Sequence, residues 1–166
     1  GKFRWQNANE LIFSPEGELP PAISFKAVVT NKVLRFTPKL ALGKCELKPF
    51  HTPYLQLSQT NVAWNVNEGN STSAFVQVDL YFNYNVSPDK LKEMLTVTLD
   101  GQVRTFNITN TNSDSKISIT LNGIRIEDRD LPLQVKITKG LKPEGGNIGL
   151  VLNLASYARI NEYGFI

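Results

Sequence analysis

Apolar and polar residues alternate with a period of two along most of this 166-residue chain. Such alternation is typical of β-strands that have one buried and one wet face. Joints rich in Asn, Gly, Ser and Asp separate the alternating runs roughly every 8–15 residues, which favours an antiparallel β-sandwich and predicts an all-β fold. The positions predicted to face inward are Ile23, Phe25, Ala27 and Val29; Val62, Trp64 and Val66; Ala74, Val76, Val78, Leu80 and Phe82; Leu95, Val97 and Leu99; Val103, Phe106 and Ile108; Ile117, Ile119 and Leu121; Leu131, Leu133, Val135 and Ile137; and Ile148, Leu150, Leu152 and Leu154.

One stretch, LYFNYNVSPDKLKEMLTVTLDG (80–101), leaves the strand pattern in its middle. Ser87 is a suitable N-cap, Pro88 suits the first helical position, and Asp89 meets the positive end of a helix. The sequence therefore predicts one short helical turn near 88–94.

The apolar side of this turn would carry Leu91, Met94 and Leu95. A helix this short is not stable alone, so we expect it to carry the chain from one sheet to the other and to plug an end of the sandwich. The strand that follows runs into Asp100-Gly101, a strong hairpin signal because both residues tolerate positive φ. Val103, Phe106 and Ile108 are predicted to belong to the return strand of this hairpin.

A domain boundary is predicted near Pro49 and Pro53, because neither proline suits the interior of a central strand. Residues 53–166 then form one sandwich of ordinary size, whose last residues, SYARINEYGFI, are either a final strand or the lead into another domain. Residues 1–52 form only part of a second sandwich. The abrupt start, with no signal peptide, suggests a segment of a longer polypeptide.

Composition narrows the function classes. Hydrophobic residues make up 41% and charged residues 20% of the chain, as in soluble folded proteins. No apolar run approaches the roughly 20 residues that cross a bilayer, so no membrane insertion is expected. Residues 1–52 hold eight Lys/Arg against four Glu, a net charge of +4, while residues 53–166 hold ten basic against eleven acidic groups, a net charge of −1. The basic residues alternate with apolar ones instead of clustering around aromatic rings, so nucleic-acid binding is not expected.

Few residues are candidates for catalysis or metal binding. Cys45 and His51 are too few for a protein-only zinc site, and on one strand their spacing would separate them by roughly 20 Å. Residues 126–130 (IEDRD) hold three carboxylates that suit calcium, although Arg129 would compete and a solvated turn is the simpler interpretation. Glu127 and Asp130 as an acid/base pair would need a cleft. The sequence therefore predicts no catalytic residue, no cofactor and no metal.

Aromatic side chains raise the possibility of sugar stacking. Trp64 alternates in step with the inward residues Val62 and Val66 and is expected in the core. Tyr81 is expected to face water, and Tyr84 lies on the opposite face of the strand from Tyr81. A carbohydrate platform would therefore rest on Tyr81 and Trp5. Glycosylation sequons, which matter only in a eukaryotic secretory pathway, stand at Asn70-Ser71-Thr72 and Asn107-Ile108-Thr109.

Three segments resemble a known family. FRWQNANELIFSPEGELPPAISFKAVV (3–29) resembles the second half of a bacterial Ig-like domain of the type that precedes the macroglobulin domains of bacterial alpha-2-macroglobulins. LYFNYNVSPDKLKEML (80–95), with its FN-x-x-V-x-P turn, and ITKGLKPEGGNIGL (137–150) resemble the first macroglobulin-type domain of that family. FN-x-x-V-x-P also recurs in other bacterial Ig-like modules.

The resemblance implies a scaffold segment of a large bacterial envelope protein, periplasmic or lipoprotein-anchored, that traps proteases. Its partners would be target proteases, met through the full-length protein, and neighbouring domains of the same chain. Members present a bait segment, and many carry a Cys-Gly-Glu-Gln thioester. Cys45 stands in Gly-Lys-Cys-Glu-Leu, without the glutamine, so no thioester and no active residue is transferred.

Two alternatives stay open. A cell-surface Ig-like adhesion or glycan-binding module would present an exposed aromatic row. A sandwich enzyme such as a glycosidase would need two carboxylates about 5–10 Å apart on one concave face.

Overall fold

The computed structural model describes residues 1–7, 10–30, 32, 39, 41, 43, 49–67, 69–125, 127–161 and 164–165. Antiparallel strands and one short helix make up its regular structure, so the all-β prediction is confirmed. The elements are β1 (Lys2–Asn7), β2 (Glu10–Ser14), β3 (Ser24–Phe25), β4 (Phe50–His51), β5 (Leu57–Asn67), β6 (Asn70–Val86), α1 (Pro88–Met94), β7 (Leu95–Leu99), β8 (Gln102–Arg104), β9 (Asn107–Ile108), β10 (Asp114–Arg125), β11 (Leu131–Ile137), β12 (Leu154–Asn161) and β13 (Gly164–Phe165).

Two sheets enclose one hydrophobic core. A four-stranded sheet has the order β5-β6-β10-β9, and a five-stranded sheet has the order β13-β12-β11-β7-β8. Alternate residues of both sheets point inward and are buried, as the period-two pattern predicted. Each such aliphatic side chain contributes about 1.5–3 kcal/mol through burial. The fully enclosed side chains include Val76, Val78, Leu80, Val97, Leu99, Ile117, Ile119, Leu121, Leu133 and Ile137.

The helix α1 connects the two sheets. It follows β6 of the four-stranded sheet and leads directly into β7 of the five-stranded sheet. Pro88 opens the helix at a buried position, and Leu91 is fully enclosed in the core. Ser87 is the N-cap residue, but its side chain makes no capping hydrogen bond within the described residues. The predicted crossover and plug are therefore present, and packing, rather than capping, holds the helix in place.

Two strand predictions in the sandwich were wrong. Residues 103–108 do not form one return strand, because β8 belongs to the five-stranded sheet and β9 to the four-stranded sheet. Phe106, between them, is half-buried against the core where the chain changes sheets. Residues 148–153 form a loop instead of a strand, with Leu152 exposed. This loop is closed by hydrogen bonds from Gly140 N to Leu150 O, 2.8 Å, and from Leu150 N to Leu141 O, 2.9 Å.

The described residues before Tyr54 include two small strand pairs. The hairpin β1–β2 pairs Phe3 with Phe13 and Trp5 with Leu11. The pair β3–β4 is shorter than the predicted strand over residues 23–29, because residues 26–30 are irregular. Ala27 and Val29, which were predicted to face inward, are exposed.

Ala22 joins this part of the chain to the sandwich. Its backbone N–H donates to Pro53 O at 3.2 Å, and its carbonyl accepts from Ile148 N at 3.0 Å. Ala22 is completely buried and has a φ of 47°. The domain boundary near 49–53 remains a prediction.

Candidate functional site

An open groove of about 730 Å³ crosses the outer face of the five-stranded sheet. Its volume falls within the roughly 300–1,000 Å³ of small-ligand sites. The groove lies over β7, β11 and β12, and the pairing of these strands places its lining in two rows. One row contains Thr98, Gln134 and Tyr157, and the other contains Pro132 and Arg159 with Gly101 at its end.

Hydrogen bonds order the first row. Gln134 Nε2 donates to Tyr157 Oη at 2.8 Å, and Thr98 Oγ1 lies 3.4 Å from Gln134 Oε1. The Tyr157 side chain is 74% exposed, so its ring is held by its hydroxyl while its surface stays open to water. An exposed ring fixed in this way loses little conformational freedom when it contacts a ligand.

The groove face is positively charged. Lys136 and Arg159 point outward from β11 and β12, and none of the described outward side chains of β7, β11 and β12 is a carboxylate. Arg159 Nη1 lies 3.8 Å from Asp130 Oδ2, which is longer than a hydrogen bond. The carboxylate of Asp100, in the adjoining turn, is bound by Arg129. Lys136 and Arg159 together therefore exceed the single nearby carboxylate of Asp130 by one positive charge.

Arg129 organises the acidic loop that was considered for calcium. Its Nη1 and Nη2 donate to Asp100 Oδ1 and Oδ2 at 3.1 and 2.6 Å, and its Nε donates to Glu127 Oε2 at 2.7 Å. These bonds lower the pKa of the Asp100 carboxyl and raise the pKa of Arg129. The positive φ of Asp100 (52°) and Gly101 (74°) matches the predicted hairpin turn. Arg129 thus connects this turn to the acidic loop. Ile126, the first residue of the predicted loop, lies outside the described residues.

A polar cluster occupies the outer face of the other sheet. Asp79 lies within 2.9 Å of Lys116 Nζ and accepts from Ser118 Oγ at 2.7 Å and from Gln77 Nε2 at 3.0 Å. Partial burial is the largest single influence on Asp79 and raises its pKa, but the three hydrogen bonds and the charge of Lys116 together lower the pKa further than burial raises it. The same pairing raises the pKa of Lys116, whose Nζ lies 5.5 Å from the centre of the Tyr81 ring. The cluster links β6 to β10.

The four aromatic residues singled out from the sequence fall in different places. Trp64 is half-buried and packs against the core, as does Tyr84. Tyr81 faces outward beside Lys116, while Trp5 is 65% exposed in the hairpin β1–β2. Trp5 and Tyr81 lie in different sheets, so they do not form the row that a carbohydrate platform was expected to use. Tyr157, which the sequence analysis did not single out, occupies the groove; its alternation with Ala155 and Arg159 was the available signal.

The other candidate residues are dispersed. Cys45 lies outside the described residues, and the His51 ring stacks on Tyr54 with centroids 4.1 Å apart. In the sequons, Asn70 lies in β6 and Asn107 lies exposed in β9. Within the described ranges, no three His, Cys, Asp or Glu residues lie together as a metal site, and no helix is long and apolar enough to cross a membrane.

Asn83 has a role that sequence reasoning missed. Its Oδ1 accepts from Gln56 N at 2.8 Å, and its Nδ2 donates to Tyr54 O at 2.9 Å. The side chain therefore completes the backbone hydrogen bonding of the segment that leads into β5. In the FN-x-x-V-x-P pattern, Val86 and Pro88 are buried, so the pattern records packing and backbone satisfaction, not chemistry.

The chain was compared with protein-family models, with solved structures and with known proteins. No protein-family model and no solved structure matches the chain. A 24-residue match, 14% of the chain, is 75% identical to DNA-directed RNA polymerase subunit beta of Lactococcus lactis subsp. cremoris strain MG1363 and 79% identical to that of Alkaliphilus metalliredigens strain QYMF. The chain spans 2% of the length of these curated relatives. Matches of this extent show no family for the chain.

Proposed function

We propose that this chain is a non-enzymatic scaffold segment of an alpha-2-macroglobulin-like protease inhibitor of the bacterial cell envelope. In this proposal, residues 53–166 are a complete macroglobulin-type sandwich and residues 1–52 are the second half of an Ig-like sandwich. Protease capture belongs to the full-length protein, and this segment positions its neighbours. The proposal rests on the resemblance of three segments and on one physical feature of the hairpin β1–β2.

That feature is an uncovered apolar face. The side chains of Phe3, Trp5, Leu11 and Phe13 share one face of the hairpin, because the register pairs Phe3 with Phe13 and Trp5 with Leu11. They are 69%, 65%, 42% and 51% exposed. Phe3 and Phe13 contact each other, with ring centroids 4.9 Å apart. A two-stranded hairpin with a bare aromatic face is at best marginally stable in water, so this face needs a cover.

The size of the face indicates what kind of cover is suitable. Three aromatic side chains and one leucine with these exposures offer about 400–500 Å² of apolar surface. A stable complex between separate proteins needs about 800 Å² from each partner. A cover that is part of the same polypeptide needs less, because linkage raises its effective concentration. The face therefore suits the inner side of a sandwich whose other strands belong to the same chain.

Hydrogen exchange followed by mass spectrometry tests this proposal without any substitution. In the 166-residue chain, amides of residues 2–14 should exchange within the fastest class, because local opening of an uncovered hairpin costs little. In the longer envelope polypeptide, the same peptide should be protected by at least about tenfold, while peptides from β11 should exchange equally in both. Equal, fast exchange of residues 2–14 in both proteins would contradict the tandem-sandwich scaffold.

A further inference from the structure

We infer that the groove over β7, β11 and β12 is a binding site for acidic saccharides. This inference is independent of the proposed scaffold function, because it concerns the outer face of the five-stranded sheet alone. It rests on three features of the groove: an oriented aromatic ring, a row of neutral hydrogen-bonding groups, and an accessible guanidinium.

The aromatic ring suits the apolar side of a sugar. Tyr157 is 74% exposed and is fixed by the bond from Gln134 Nε2, so its ring stands in the groove in one orientation. Flat rings pack against the C–H faces of pyranoses through apolar contact. Pro132, in the neighbouring row, adds a second apolar surface along the same floor. A pyranose seated here would keep its hydroxyl groups at the rim.

The neutral polar groups suit those hydroxyls. Gln134 and Thr98 present an amide and a hydroxyl along the row that crosses three strands, a distance of about 10 Å. The contact of Thr98 Oγ1 with Gln134 Oε1 is long, at 3.4 Å, so a ligand hydroxyl would replace it at small cost. The Tyr157 hydroxyl accepts from Gln134 and retains its own proton to donate.

The guanidinium of Arg159 favours a negatively charged ligand. Arg159 projects from the same face of β12 as Tyr157, two residues and about 7 Å further along the strand. Its 3.8 Å contact with Asp130 leaves room for a shorter, bidentate bond to a carboxylate. Lys136 adds a second positive charge on this face, and because the described outward positions of the three strands carry no carboxylate, the ion pair with Asp130 offsets only one of the two charges. A uronic-acid oligosaccharide therefore matches the groove better than a neutral one.

The test is a titration of the isotope-labelled 166-residue chain with trigalacturonate and, separately, with maltotriose, followed by amide and side-chain NMR shifts. Trigalacturonate is expected to bind with a dissociation constant in the millimolar range or tighter, with shifts confined to Thr98, Gly101, Gln134 and Arg159. Arg159→Gln should weaken trigalacturonate binding by about 10-fold or more, the value of a charge-assisted hydrogen bond.

The controls separate the parts of the site. Tyr157→Ala should abolish binding, whereas Arg4→Gln, which removes the same charge from a residue of β1 outside the groove lining, should leave it unchanged. Thermal melts of each variant confirm folding. Shifts scattered over the surface, equal binding of maltotriose, or no binding by the folded wild-type chain would overturn the inference. An Asp/Glu-rich hexapeptide that binds as tightly as trigalacturonate, with the same loss in Tyr157→Ala and Arg159→Gln, would overturn it in favour of a peptide site.

Discussion

Replacing Leu91 with alanine is expected to destabilise the sandwich strongly, although the residue lies in a helix of only seven residues. The Leu91 side chain is completely enclosed. It belongs to the same core as the inward residues of both sheets. Alanine keeps the helical backbone, and its helix propensity is slightly higher than that of leucine. Any loss of stability therefore measures the packing of this side chain into the core.

The expected magnitude is about 3–4 kcal/mol. Leu→Ala substitutions in cores cost roughly 2–5 kcal/mol, with larger values where the surroundings cannot collapse into the cavity. Leu91 is fully enclosed in the core that the two hydrogen-bonded sheets share, and the close packing of this core restricts such collapse. For a cooperative unit of this size, the change corresponds to a decrease of roughly 10–15 °C in the melting temperature.

Urea unfolding followed by circular dichroism measures this change, with Lys92→Ala as the matched control. Lys92 is one residue away and exposed, so its substitution should alter stability by no more than about 0.5 kcal/mol. The m-value should remain the same in both variants, because the surface exposed on unfolding hardly changes. A loss below about 1 kcal/mol for Leu91→Ala, or an equal loss for Lys92→Ala, would refute the reasoning that α1 plugs the core.

Other substitutions test separate features. Gly149→Ala should destabilise the chain by more than about 2 kcal/mol, because its Cβ would overlap the Gly140 carbonyl; thermal melts should show little change for Gly17→Ala, where nothing lies within 4 Å. Asn83→Ala should cost about 0.5–1.5 kcal/mol in urea unfolding, since two exposed backbone groups lose a partner that water replaces only in part; an unchanged midpoint would show that Asn83 does not stabilise the segment before β5. Folding lowers the pKa of Asp79, so the ionised carboxylate stabilises the folded state at pH values above its unfolded-state pKa. This contribution decreases as the pH falls through the folded-state pKa. The difference in unfolding free energy between wild type and Asp79→Asn should therefore be constant from about pH 7 to 5 and shrink below about pH 4. A chelator should leave the melting temperature unchanged, because Arg129 already binds Asp100 and Glu127; a clear decrease would reinstate calcium at residues 127–130.

The sequence predicted the central strands well because their pattern is set by burial. In β6, β10 and β11, most of the residues that separate the inward ones are polar, and a shift by one residue would expose the whole apolar set. The helix α1 was also predictable, since Pro88 marks its start and Leu91 marks its buried side. These features depend on neighbours in sequence.

The strand predictions were wrong where the chain passes from one sheet to the other or where a loop is closed by hydrogen bonds to a distant part of the sequence. Residues 103–108 keep one alternating pattern across two sheets, and the pattern does not show that the chain crosses between them at Phe106. Leu152 has the parity of Leu150 and Leu154, yet it is exposed because backbone bonds at Gly140 close a loop before β12 begins. Such errors reflect tertiary hydrogen bonding, which local periodicity does not encode.

The candidate site was less predictable for a related reason. Tyr157 and Gln134 are 23 residues apart in sequence and meet only through the register of β11 with β12. In the sequence, each of them is an ordinary polar or aromatic residue at an outward strand position. Cross-strand neighbours of this kind become visible only when the strand order is known.

The proposed scaffold function requires a longer protein in the cell envelope, and a search for that protein tests the proposal most directly. Antibody raised against this chain would detect that protein in envelope fractions before and after brief exposure to several unrelated proteases. We predict a polypeptide many times longer than this chain, which every protease cleaves within the same narrow region. A small polypeptide, or one cleaved at scattered positions that differ between proteases, would contradict the proposal.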